Sequence, residues 1–125
     1  MIILNTVNDT LELITSSAAN IDYYVSYVDI TTSAFSPSSS QGTIASSTTT
    51  MILSAPLAST QRQVKMLTIV NRHASISCNV TLQKDVSATN YQITGTYSLS
   101  AGDSLRVDVD GNINVFDRNG RLKTN

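Results

Sequence analysis

From Ile76 onward, apolar side chains recur at every second position and polar ones fill the gaps. Ile76, Cys78, Val80 and Leu82 alternate with Ser77, Asn79, Thr81 and Gln83. The same period returns at Tyr91 and Ile93, at Tyr97 and Leu99, at Leu105, Val107 and Val109, and at Ile113 and Val115. Successive side chains of a strand point to opposite faces, so this pattern lays one face on a core and the other in solvent. A helix needs a 3.6-residue apolar period, and no stretch of the chain shows one. The fold expected is all-β.

Read from the start, Met1 to Leu4 forms a short apolar strand and Leu11 to Thr15 a second. Ile21 to Thr31 is long, with Tyr23, Val25, Tyr27 and Asp29 on one side and Asp22, Tyr24, Ser26, Val28 and Ile30 on the other. Thr32 to Thr50 reads as a long loop, because Pro37, Gly42 and runs of Ser and Thr are loop signals. Met51 to Ser54 is a short strand. Val64 to Val70 is apolar nearly throughout and reads as a central strand covered on both faces. Ile76 to Lys84, Tyr91 to Leu99, Leu105 to Val109 and Ile113 to Asp117 follow. Between the last two, Asp110-Gly111 is a hairpin signal, and Asn119-Gly120 repeats it before a basic tail from Arg121 to Asn125. Eight or nine short strands with closely spaced turns predict one antiparallel β-sandwich of the jelly-roll kind over residues 1–125. Its core is expected to hold Val64, Met66, Leu67, Ile69, Val80, Leu82, Ile93, Leu105, Val107 and Val115.

Composition supports a packed domain and narrows its partners. The 125 residues are 41% hydrophobic but only 14% charged, with Ser and Thr filling the difference; a typical chain is about a quarter charged. Net charge is −1, so no overall field draws nucleic acid or an anionic membrane. The charge is nevertheless unevenly spread. Up to Gln61 the only charged residues are Asp9, Glu12, Asp22 and Asp29, while all 8 Lys and Arg lie from Arg62 onward. Such polarity would suit docking against copies of the same chain or a partner of opposite sign. Cys78, the single cysteine, falls on an apolar strand face and reads as a small core residue. No basic leader precedes an apolar run, so synthesis in a reducing compartment is the expectation.

Reaction chemistry has little to build on. His73 is the sole histidine and has no second His or Cys at metal-ligand spacing. Asp108 and Asp110 flank Val109 beside a turn; with Arg106 nearby they read as a surface charge row rather than an acid–base pair. There is no Gly-x-Ser-x-Gly elbow and no phosphate-binding glycine loop. The tyrosines lack an interleaved basic stripe, and there is no Trp, so base stacking is not indicated. The expectation is a non-enzymatic structural or interaction protein without cofactor or metal.

Several segments carry a resemblance. The chain opens with Met1-Ile2-Ile3-Leu4-Asn5-Thr6, followed by the Tyr-rich stretch Tyr23 to Asp29. Ala55-Pro56, Arg62 to Asn71, Ser98 to Leu105 and Val115 to Thr124 complete the pattern. This resembles small all-β virion proteins of tailed bacteriophages, in particular capsid decoration, or cement, proteins. The resemblance implies an oligomer, often a trimer, on the outer capsid lattice, clamping neighbouring major-capsid subunits and performing no catalysis. It would place the chain on the virion surface after synthesis in the bacterial cytoplasm, with the major capsid protein and its own copies as partners. Uncharged Met1, Ile2, Ile3 and Leu4, Phe35 in the Ser/Thr segment, and basic Arg118, Arg121 and Lys123 are the candidate contacts. A tail-tip, fibre or neck protein, or a carbohydrate-binding β-sandwich, would share the same fold class.

Overall fold

The computed structural model describes residues 1–123, which form eleven strands. They are β1 (Ile2–Leu4), β2 (Asp9–Thr15), β3 (Ile21–Ile30), β4 (Phe35–Ile44), β5 (Thr48–Leu53), β6 (Gln61–Asn71), β7 (Cys78–Val86), β8 (Thr89–Gln92), β9 (Tyr97–Leu99), β10 (Ser104–Val107) and β11 (Ile113–Phe116). Two antiparallel sheets result. One runs β11-β10-β6-β3-β4, with β1 also on β6; the other runs β5-β2-β7-β8, with β9 also on β7. The long strands β6 and β7 are the axes of their sheets. On one side β6 pairs with β3 along its length, and on the other it is shared between β1 at Arg62 to Val64 and β10 at Leu67 to Val70.

Alternation builds the core as anticipated. β2 buries Asp9, Leu11, Leu13 and Thr15 and leaves Thr10, Glu12 and Ile14 half-buried. Leu4, Leu11, Leu13, Ile21, Val25, Leu67, Ile69, Val80, Leu82, Leu99 and Leu105 join one apolar cluster between the sheets. Packing two amphipathic sheets face to face is how such chains remove apolar surface from water.

The strand count exceeds the expected eight or nine for identifiable reasons. Residues assigned to a Thr32 to Thr50 loop form β4 and the start of β5. β4 pairs with all of β3, from Ile30 opposite Phe35 to Ile21 opposite Ile44. Its hydroxyl-rich face has no apolar contrast; β3 supplies the ladder that holds it extended. The segment Tyr91 to Leu99 is broken into β8 and β9, with Thr94 Oγ1 rather than a strand neighbour accepting the Leu82 N–H at 3.1 Å. Ile93 stands in that break, 38% exposed rather than in the core.

β6 is not covered on both faces. Its pairing with β3 slips between Met66 and Val64, so Lys65 is the extra residue of a bulge. Inward positions are therefore Arg62 and Val64 before the bulge, then Leu67, Ile69 and Asn71 after it. Met66 is thereby turned to the half-buried outer face. Val115 is also only half-buried, packed against the core edge. β7 starts at Cys78, leaving Ile76 in the preceding loop. β10 ends at Val107, and a wider turn follows in which Asp108 N–H donates to Asn112 O. After Asn119-Gly120 the chain folds back, with Leu122 bridging to Phe116. The end of the expected basic tail, Thr124 and Asn125, lies outside the described residues.

An uncharged flank and the cleft at its end

Not one charged residue or histidine occurs from Ile30 to Gln61. The fold places this segment along one side of the sandwich. β4 is the last strand of one sheet and β5 the last strand of the other. Ser40 ties the two together, its hydroxyl donating to Ile52 O at 2.7 Å. One entire flank, edge over edge, thus presents hydroxyls, amides and apolar groups to solvent and no charge.

At one end this flank opens into a cleft of about 350 Å³ lined by Asn5, Ile30, Thr31, Thr32, Ser59, Thr60 and Gln61. Arg62, next in sequence to the lining Gln61, ties together the strands that lead to it. Because the Lys65 bulge keeps Arg62 inward, its guanidinium meets Asp29, directly opposite on β3, through Nε at 2.8 Å and Nη2 at 2.9 Å. Nη1 donates to Ser54 O at 2.8 Å, pinning the chain that leaves β5. The guanidinium also lies 4.5 Å from the Tyr27 ring centre, a cation–π distance. The hydrogen bonds to Asp29 outweigh the opposing effect of burial, so Arg62 holds its proton more tightly than an ordinary arginine. Exposed apolar side chains in the segments that reach this end include Phe35, 65% exposed and opposite Ile30, and Leu57, 79% exposed between β5 and β6.

The uneven charge of the chain is neutralised inside the fold. Antiparallel pairing interleaves the halves, and Asp9, Asp22 and Asp29 each meet a basic residue of the second half: Lys84, Arg72 and Arg62. Glu12 accepts from Gln83 at 2.8 Å. Burial of Asp22 opposes its charge, but hydrogen bonds from Thr43 and Arg72 hold its carboxyl below the usual range. The acidic surface on which pairing between copies would depend is therefore largely occupied within one chain.

The candidate contact residues do not form one surface. Leu4 is fully buried in the core and presents no side-chain surface. Ile2 packs against the core edge, whereas Met1 and Ile3 remain exposed. Phe35 belongs to the cleft end. Arg118, Arg121 and Lys123 belong to the opposite end, near Gly102 and Asp103, where Arg118 donates to Ala101 O and Lys123 pairs with Asp103 at 2.6 Å. Along β6 these ends are roughly 30 Å apart at the usual strand rise. His73 caps its own loop, Nδ1 accepting the Ser75 and Ile76 N–H groups at 3.0 and 2.9 Å. Among the described residues no group of three or more His, Cys, Asp and Glu could hold a metal ion.

Arg62 and Leu57 were not among the sequence candidates. The signal available for Leu57 was its place in the charge-free run, an isolated large apolar residue just after Pro56; Arg62 offered none, because its inward direction depends on a bulge. Comparison of the chain with protein families, curated proteins and solved structures finds no match.

Proposed function

We propose that this chain is a non-enzymatic structural protein of a phage virion, a decoration protein that docks on the assembled major-capsid lattice. The observation that carries the reading is the uncharged cleft end, where Phe35 and Leu57 stand exposed on a base locked by Arg62, Asp29 and Ser54. Exposed apolar side chains on a surface poor in charge are the usual makings of a protein contact. A docking surface that must hold its shape also gains from the buried ion pair, which fixes the loop carrying Leu57. The resemblance in strand and turn pattern supplies the kind of partner.

Co-sedimentation tests it directly. Purified protein is mixed with capsids of the phage whose genome encodes the chain, assembled without it. The wild type is expected in the capsid pellet, and Phe35→Asp and Leu57→Asp in the supernatant with their thermal unfolding unchanged. Wild-type protein that stays in the supernatant, or that labels only tails in the virion, would overturn the decoration reading.

A further inference from the structure

We propose that two copies of this chain pair through β4, edge to edge and antiparallel, about a two-fold axis at Gln41. The inference starts from the turn between β3 and β4, where Thr31 N–H donates to Ala34 O at 3.0 Å. In an antiparallel ladder, pairs that exchange hydrogen bonds alternate with pairs that do not. Counting from Thr31 and Ala34, the bonded pairs include Asp29 with Ser36, Tyr27 with Ser38, Val25 with Ser40 and Tyr23 with Gly42. Phe35, Pro37, Ser39, Gln41 and Thr43 consequently turn their backbone groups away from β3. Pro37, which has no N–H, falls in this outward set, as a proline in an edge strand must.

No hydrogen bond among the described residues satisfies these outward groups, because the sheet ends at β4. At ten residues β4 equals β3 in length and exceeds every other edge strand. Proteins normally protect such an edge with charge, proline or a bulge. β4 has no charge and pairs with β3 without a register shift. Its only protection is Pro37, which guards the first half and leaves Ser39 to Thr43 open.

The occupant is a second copy because this stretch is complementary to itself. With Gln41 opposite Gln41, Ser39 of one copy meets Thr43 of the other, and every outward N–H in the stretch finds a carbonyl. A pairing centred on Ser39 would instead set Pro37 opposite Gln41 and leave a Gln41 carbonyl without a donor on each copy. The side chains agree. Thr43 donates its hydroxyl to Asp22 at 2.6 Å and Ser39 donates its own to Gln41 Oε1 at 3.1 Å, so both hydroxyl protons are held within the chain and only small uncharged groups face each other across the axis. Hydroxyl and amide pairs on facing strands are stabilising, whereas like charges would repel, and β4 has none. β5, held under β4 through Ser40 and Ile52, continues the uncharged surface. The pairing concerns the chain alone and stands apart from capsid docking, which uses the cleft end.

Sedimentation velocity over a concentration series tests the proposal. Wild type is expected to be a dimer. Gln41→Lys and Gln41→Glu, each placing like charges across the axis, are expected to self-associate about tenfold more weakly or worse. An equimolar mixture of the Lys and Glu variants should recover the dimer, since opposite charges then face each other. Gln41→Pro, which removes an outward N–H that β3 does not use, should also be monomeric. If that variant does not fold, the charge pair still decides. A wild-type monomer or trimer, a dimer that survives Gln41→Lys, or a mixture that fails to recover would each overturn the two-fold pairing. Capsid binding by the monomeric variants is a separate readout and leaves the two proposals distinguishable.

Discussion

Tyr23 lies over Gly42, its partner across the β3–β4 ladder, so closely that a β-carbon at position 42 would sit 2.7 Å from the tyrosine hydroxyl and 2.9 Å from Cζ. The limit is space, not backbone torsion. The ring in turn packs against the core, so it has little room to retreat. Gly42→Ala is therefore expected to cost about 1–3 kcal/mol, the usual range for overpacking. In a Tyr23→Ala background the same change should cost almost nothing. Urea unfolding of the single and double variants measures the coupling, and equal costs in both backgrounds would show that Tyr23 is not the obstacle.

The ion pair behind the cleft makes an asymmetric prediction. Asp29→Ala leaves a guanidinium with only 10% of its side chain exposed and no counter-charge. Such a change is expected to destabilise by about 3–5 kcal/mol. Replacing both partners, Asp29→Leu with Arg62→Met, should recover much of that loss, because no buried charge remains. A double variant no more stable than Asp29→Ala in chemical unfolding would mean the pair's geometry, not its charge balance, holds this end together.

Leu82 and Ile93 separate the two faces of the alternating pattern. Leu82 is 2% exposed on β7, and Leu82→Ala should cost about 2–5 kcal/mol, as buried large-to-small changes do. Ile93 belongs to the same apparent period but sits in the break between β8 and β9. Ile93→Ala should cost under about 0.5 kcal/mol. Similar costs for both would place Ile93 in the core after all.

These contrasts mark what the sequence could convey. Strands with one apolar face, such as β2, β7 and β10, were legible because their partners are contiguous in pattern. β4 was not, since Ser36, Ser38 and Ser40 on its inner face and Pro37 and Ser39 on its outer face offer no contrast of polarity. Its extended form is imposed by β3. The inward turn of Arg62 was equally hidden, because a single extra residue at Lys65 resets the face of every side chain beyond it. The charge-free run was plain in the sequence, but its division between the edges of two sheets is a property of the topology.

The connection between β7 and β8 was legible over Val86 to Asn90, but not how tight its turn is, for a related reason. Val86 pairs with Thr89, so Ser87 and Ala88 form the whole loop, and both have positive φ, 51° and 68°. That is the torsion pattern of a type I′ hairpin, which normally signals itself with Asn-Gly. Ala88 adopts it against its steric preference. Ala88→Gly is expected to stabilise the protein by about 1 kcal/mol, the typical penalty of a left-handed alanine. A lowered melting temperature for this variant would show that gain in the folded turn is exceeded by freedom returned to the unfolded chain.

Asp9 predicts how the protein meets acid. It is 1% exposed at the end of β2 and accepts hydrogen bonds from Asn5 N–H at 2.9 Å and the Thr6 hydroxyl at 2.7 Å, with Lys84 Nζ 3.3 Å away. Burial opposes its charge, yet the bonds from Asn5, Thr6 and Lys84 together hold its carboxyl below the ordinary aspartate value. A carboxyl depressed in the folded state adds stability above its unfolded pKa and loses it as pH falls through the folded value. Wild type should therefore lose stability progressively below about pH 4, where unfolded aspartates take up protons. Asp9→Asn keeps the shape but not the charge, and should cost about 1–3 kcal/mol at neutral pH. The gap between the two proteins should narrow as pH is lowered, because protonation gives wild type the same neutral side chain. Thermal unfolding at pH 7 and at acid pH measures that gap, and one that stays constant would mean Asp9 acts through its hydrogen bonds alone.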